Sequence, residues 1–131
     1  TIIDIATLTG ACVVALGEEY AGLFTDDNQL LEDLKNASEL AGERLWPLPL
    51  APEYASLIKS SVADLKNIGN SGKGGGAITA ALFLKEFAGD TRWAHIDIAG
   101  PAYADGDKDH VRKGGTGFCV RTLINYLVSA R

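Results

Sequence analysis

The turn Thr7-Leu8-Thr9-Gly10 follows an apolar β-branched run, Ile2, Ile3 and Ile5, and precedes a small-residue stretch that stops at Gly17. Where the C-terminal end of a strand meets a helix N-terminus, α/β proteins place ligands. The free N–H groups of such a first turn suit an anionic or polar oxygen. The same letters also describe an ordinary capped helix start, with Thr7 or Thr9 as N-cap and Gly17 as the stop. A second group is His95 and Asp97, which share a face if residues 93–99 form a strand, with His110 as a third metal ligand from a loop. Metal-binding histidines need three convergent ligands and outer partners that orient them. Nothing in this spacing fixes that convergence, so a hydrogen-bonded structural pair is expected instead.

A third group, Gly72-Lys-Gly-Gly-Gly-Ala77, satisfies the dinucleotide pattern G-x-G-x-x-G/A, and Asp97 sits twenty residues on. The context fails, because Asn67-Ile-Gly-Asn-Ser71 stands where an apolar strand should end. Lys73 is followed by Gly74 rather than Ser or Thr, which a phosphate-cradling loop would require. The expected role is a loop over a substrate pocket, with Ile68 as apolar wall. Asp4 and Asp64 are single carboxylates with no partner at a revealing spacing, and structural hydrogen bonding is expected of both. No His-Glu-x-x-His and no Cys-x-x-Cys occurs. Arg121 is read as a structural ion-pair partner, and Lys113 to Gly117 as a loop leading into a helix.

The elements that must position these groups follow from periodicity. The run Ile2, Ile3 and Ile5 reads as an inner strand of a buried sheet that breaks at Ala6-Thr7-Leu8-Thr9-Gly10. Ala21 to Thr25 is a second strand. A helix capped within Asp26-Asp27-Asn28 follows, with Leu30, Leu34, Ala37 and Ala41 at helical spacing; Gly42 and the Trp46-Pro47-Leu48-Pro49 stretch end it. Pro52 opens a helix to about Ser61. Ala77 to Phe87 is helical, with Ile78, Ala81, Leu82 and Lys85 along one side. In the strand from Trp93 to Ala99, Trp93, His95, Asp97 and Ala99 face one way and Ala94, Ile96 and Ile98 the other. Thr116 starts a closing helix whose apolar face is Val120, Leu123, Ile124 and Leu127. The expected fold class is α/β, a layered mixed sheet with flanking helices. Three strands are few for so apolar a core, and a core strand at residue 2 leads us to expect missing neighbours upstream.

With 131 residues, 47% of them hydrophobic and 22% charged, the composition is that of one ordinary globular domain. The net charge of −5 and the scattered Lys and Arg argue against a nucleic-acid partner. No apolar run approaches the roughly 18 residues of a membrane span. Cys12 and Cys119 lack metal-ligand spacing and are read as small buried residues of a reducing compartment, which places the protein in the cytoplasm.

Four stretches, in order, resemble one family. These are Ile-Asp-Ile-Ala-Thr-Leu-Thr-Gly-Ala over residues 3–11, Asp64-Leu-Lys-Asn-Ile-Gly69, Trp93-Ala-His-Ile-Asp-Ile-Ala-Gly100, and Lys113-Gly-Gly-Thr-Gly117 with Arg121-Thr-Leu. They are similar to the C-terminal part of the catalytic domain of the leucyl aminopeptidases, the di-metal exopeptidases of the cytosol aminopeptidase family. The resemblance implies that residues 1–131 are a portion of a larger enzyme that removes N-terminal, preferably large apolar, residues from peptides. It implies substrate contacts at Thr7, Leu8, Thr9, Gly10, Ile68, Ala99, Gly100 and Ala102. A carbonyl near Leu8 would hold the substrate's amino end, the N–H near Gly10 would meet a transition-state oxygen, and the small Ala99, Gly100 and Ala102 would leave room for a leucine side chain.

The family's two divalent cations, manganese or zinc, activate a bridging water and polarise the scissile carbonyl. The stretch Asn-Thr-Asp-Ala-Glu-Gly-Arg-Leu, which carries two of their ligands and a catalytic arginine in the family, does not occur here. The resemblance therefore implies no metal ligand and no catalytic residue in this segment, which alone is expected to be inert. Family members are hexamers, so a homo-oligomeric parent is expected. A non-catalytic α/β binding or scaffold module and a nucleotide-binding α/β domain remain the alternative readings.

Overall fold

A computed structural model describes residues 1–69, 72, 74–108 and 111–129; Lys73 and His110, named above, lie outside them. The strands β1 (Ile2–Ala6), β2 (Ala21–Phe24), β3 (Leu45–Pro47) and β4 (Trp93–Asp97) form a mixed sheet in the order β1-β4-β2-β3. β1 runs parallel to β4, with Asp4 opposite His95, while β2 is antiparallel to β4 and parallel to β3. The alternation expected in β4 is present. Ala94 and Ile96 join a core with Leu23, Leu30, Leu34 and Leu45, and Trp93 joins another with Cys12, Phe24, Ala77 and Ala81. Helices α2 (Asn28–Ala41) and α4 (Val120–Ser129) cover the first face; α1 (Gly10–Leu16) and α3 (Gly76–Ala88) cover the second.

Several boundaries follow the sequence signals closely. Thr9 caps α1, its hydroxyl accepting from Cys12 N–H at 3.0 Å, and Gly17 closes that helix with a positive φ. Asp27 caps α2, and Gly42 ends it in the left-handed region. Asp27 also holds Arg92, at 2.6 Å from its Nε. The Arg92 guanidinium, and then the Leu30 N–H, lower the Asp27 carboxyl from its usual 3.8 to about 2. A folded-state value below the unfolded one gives stability that is present above the unfolded pKa and lost as pH falls through the folded value. Asp27→Asn should therefore lower Tm near about pH 6, with the gap closing between about pH 4 and about pH 2. A gap undiminished at the acid end would contradict the assignment.

Other expectations are corrected. The Trp46-Pro47 stretch does not merely end a helix; Leu45–Pro47 is the edge strand β3. Pro is tolerated there because an edge strand can turn its missing N–H away from the ladder. Pro52–Ile58 is a 3₁₀ helix and stops short of Ser61. In α3 the buried residues are Ala77, Thr79 and Ala81, while Lys85 turns out to Asp26 and lies over the Trp93 ring. The closing helix begins at Val120 rather than Thr116, because Gly117 and Cys119 both hold positive φ. Its inner face is not the expected one. Thr122 is buried and Tyr126 packs on the core, whereas Val120, Ile124 and Leu127 are exposed.

The α4 N-terminus is held from outside the helix. The carboxylate of Glu43, itself 3% exposed, accepts from Thr122 N–H at 2.9 Å and Thr122 Oγ1 at 2.7 Å. Arg121 approaches its other oxygen, which matches the ion-pair role expected of that arginine.

Candidate functional site

Parallel pairing puts the C-terminal ends of β1 and β4 side by side, with Ala6 opposite Asp97 and Ile98 N–H donating to the Ala6 carbonyl. The chain leaves β1 through Thr7–Thr9 and leaves β4 through Ile98–Ala102, so two of the three expected groups emerge at one end of the sheet. The Asp97 carboxylate ties them together. Oδ1 accepts from Leu8 N–H at 3.1 Å, Thr9 N–H at 3.4 Å and Ala99 N–H at 3.1 Å; Oδ2 accepts from Thr9 Oγ1 at 2.7 Å. Asp97 is fully buried, so these donors take the place of water around its charge.

Helix α1 is gripped at its other end as well. Gly100 is buried, and a Cβ there would overlap the carbonyl oxygen of Gly17. The segment 97–100 thus fixes both the start and the stop of α1. The third group arrives through α3. A Cβ at Gly76 would lie 3.0 Å from Ala11 Cβ, and one at Gly69 would lie 3.1 Å from Thr79 Oγ1, so the Ile68–Gly69 turn and the start of α1 flank the same helix.

Leu8 and Thr9 have their N–H groups committed to Asp97. Gly10, at the first position of α1, has no acceptor within the helix for its own N–H. A Cβ at Gly10 would meet nothing within 4 Å, and its φ is not in the left-handed region. Neither packing nor backbone conformation in this chain requires glycine there. Thr7, Leu8 and Gly10 are exposed, Ala99 and Ala102 partly so, and Ile68 is 72% exposed. Ala102 is fixed from both sides, its N–H on the Ile98 carbonyl and its carbonyl on Thr116 N–H.

His95 and Asp97 share a strand face, as expected, but not a bond. His95 Nδ1 meets Asp4 Oδ1 at 2.5 Å, and the ring stacks with Phe24 and Trp93. Trp93 Nε1 donates to the other Asp4 oxygen at 2.6 Å. Asp4 therefore has the structural role expected of it. The side chain of Asp64 is exposed and makes no hydrogen bond to the described residues.

Among the described residues no three of His, Cys, Asp and Glu come together as a metal site would need. These residues do not fit a metal centre by themselves. Nor is there a nucleophilic thiol. Burial, and then the Asp97 charge, push the Cys12 thiol up to about 11; burial, and then Glu43, push Cys119 up to about 12. The glycine-rich loop follows the 3₁₀ helix and a bridge between Lys59 and Leu65, not a strand, so the dinucleotide context is missing. A groove of about 740 Å³ beside Tyr20, Arg44 and Trp46 is lined by none of the expected substrate-contact residues.

Sequence reasoning singled out the turn, Ile68 and the 99–102 segment, but missed what Asp97 and Gly100 do for them. The available signal was an acidic residue at the end of one strand beside a turn whose N–H groups needed an acceptor. No described helix is long and apolar enough to cross a membrane.

The family model described as "Cytosol aminopeptidase family, catalytic domain" matches residues 1–124. The probable cytosol aminopeptidase of Synechococcus sp. (strain JA-3-3Ab) is 54% identical over 128 residues, which is 98% of this chain and 25% of the relative. That of Picosynechococcus sp. (strain ATCC 27264 / PCC 7002 / PR-6) is 55% identical over 128 residues, 98% of this chain and 26% of the relative. Among solved structures, a mutant of tomato leucine aminopeptidase is 44% identical with a TM-score of 0.89, covering 98% of this chain and 24% of its own. The bottromycin maturation enzyme BotP in complex with Mn is 48% identical with a TM-score of 0.91, over 98% and 28%. The chain spans about a quarter of the length of the relatives it matches.

Proposed function

From the premise that the chain belongs to the cytosol aminopeptidase family, we propose that it is the C-terminal part of the catalytic domain of a metal-dependent aminopeptidase. The whole enzyme removes N-terminal residues, large apolar ones preferred, from peptides in the cytoplasm, and works as a homo-oligomer, a hexamer in this reading. Its two divalent cations, manganese or zinc, are held by residues outside this chain.

This chain's own contribution is to bind and orient the substrate. The Leu8 carbonyl accepts a hydrogen bond from the substrate's terminal amine. The Gly10 N–H donates to the oxygen on which negative charge develops, and a donor fixed before reaction stabilises that charge without reorganising. Thr7 and Thr9 shape the turn between them; Ile68, Ala99, Gly100 and Ala102 border the side-chain pocket. The observation that carries this reading is the Asp97 clamp. It occupies the Leu8 and Thr9 N–H groups and leaves Gly10, a glycine the fold does not need, open beside them.

The test compares hydrolysis of leucine p-nitroanilide by the full-length polypeptide and by the 131-residue chain, each loaded with Mn²⁺ or Zn²⁺. Turnover by the full-length protein and none by the shorter chain is expected. Turnover by the shorter chain, or inertness of the metal-loaded full-length protein, would overturn the proposal.

A further inference from the structure

Thr116 stands outside the closing helix, which begins at Val120, yet its hydrogen bonds converge on the segment that precedes it in the fold. Tyr103–Ala104 (β5) pairs antiparallel with Gly114–Gly115 (β6), which returns the chain to Ala102. The Thr116 N–H donates to the Ala102 carbonyl at 3.0 Å, and its hydroxyl donates to the Pro101 carbonyl at 2.6 Å. A threonine oxygen can also accept, and here it takes the Phe118 N–H at 3.2 Å. Two consecutive carbonyls of the strap Gly100–Ala102 therefore end on one residue.

The strap's other anchors are backbone ones. Gly100 lies against the Gly17 carbonyl, and the Ala102 N–H is on the Ile98 carbonyl. Pro101 is buried and has no N–H, so its carbonyl is the backbone group by which a side chain can hold it. A groove of about 440 Å³ lies against the strap, lined by Pro101, Tyr103, Thr116 and Phe118 but not by Ala102. The strap has room to move on that side, and the Thr116 hydroxyl holds Pro101 against such movement.

We infer that Thr116 is a positioning residue for side-chain selection: by fixing Pro101 and Ala102 it sets how far the substrate pocket extends at Ala102. The inference rests on the reading, proposed above, of Ala102 as a border of that pocket. Thr116 itself touches no substrate. A binding wall selects only when its support holds it to about 0.5 Å, and one methylene of fit is worth about tenfold or more in kcat/KM. Without the hydroxyl, the buried Pro101 carbonyl is left without a donor, which is unfavourable. Water in the groove supplies one once the strap moves back, and that movement enlarges the pocket.

The test measures kcat/KM for leucine and phenylalanine p-nitroanilides with the full-length, Mn²⁺-loaded polypeptide and its Thr116→Val, Thr116→Ala and Thr116→Ser variants. Valine keeps the shape of threonine and alanine does not, but both lack the hydroxyl that serine retains. The phenylalanine-to-leucine ratio should rise at least about fivefold in the valine and alanine variants and stay within about twofold of wild type in the serine variant. A threonine that serves the fold alone would lower Tm and both rates together, and an unmoved ratio would overturn the inference. So would a serine variant that shifts as far as the valine one, or failure of both hydroxyl-free variants to fold. A wild type inert toward both substrates would instead remove the aminopeptidase reading, and this inference with it.

Discussion

Asp97→Ala is expected to be among the most damaging single substitutions in this chain, at a cost of about 4 kcal/mol in urea unfolding. The estimate follows from what the side chain leaves behind. Leu8, Thr9 and Ala99 each lose the acceptor of a backbone N–H, and Thr9 Oγ1 loses the partner of its own hydrogen. A buried donor left without a partner costs about 1–3 kcal/mol, and these partly buried ones stand at the lower end of that range. Asp97→Asn keeps one oxygen for the three N–H groups and should cost about half as much. A loss below about 1 kcal/mol for the alanine variant would mean that the turn at Thr7–Gly10 holds its shape without Asp97.

Gly10→Ala should separate the fold from the chemistry. With open space around a Cβ and no positive φ at this position, alanine suits the first turn of α1 and should leave stability unchanged or raise it by about 0.5 kcal/mol. Under the proposed function, the same methyl in the full-length polypeptide would stand where the substrate approaches the Gly10 N–H. Loss of a fixed donor to a developing oxyanion costs about 10²-fold or more in rate, so kcat/KM for leucine p-nitroanilide should fall by about that factor while Tm holds. Unchanged kcat/KM would remove Gly10 from the substrate contacts, and a fall in Tm would show that the glycine serves packing after all.

What the sequence made legible was the part governed by local rules. Strand alternation at Trp93–Asp97, the Thr9 and Asp27 caps and the Gly17 and Gly42 stops all act within a few residues, and each is where periodicity and capping place it. What it hid depends on distant partners. Pro47 reads as a breaker until β2 lies beside it. The apolar residues of α4 read as a core face, yet α4 turns Thr122 inward because the Glu43 carboxylate waits there to receive it. Asp97 looked like half of a pair with His95, and instead each found a partner on or just beyond β1, some ninety residues away. The Thr7–Gly10 turn was recognisable from its letters, whereas the carboxylate that holds it was visible only once the parallel register of β1 and β4 was known.

The most direct measurement is a crystal structure of the full-length enzyme with a phosphonate analogue of an N-terminal leucyl peptide. The account predicts the amine of the analogue on the Leu8 carbonyl and a phosphonate oxygen within hydrogen-bonding distance of Gly10 N. Its isobutyl group should lie against Ala99 and Ala102, with Ile68 at the rim. An analogue bound with its oxygens away from Gly10, or seated in the groove of Tyr20 and Trp46, would contradict it.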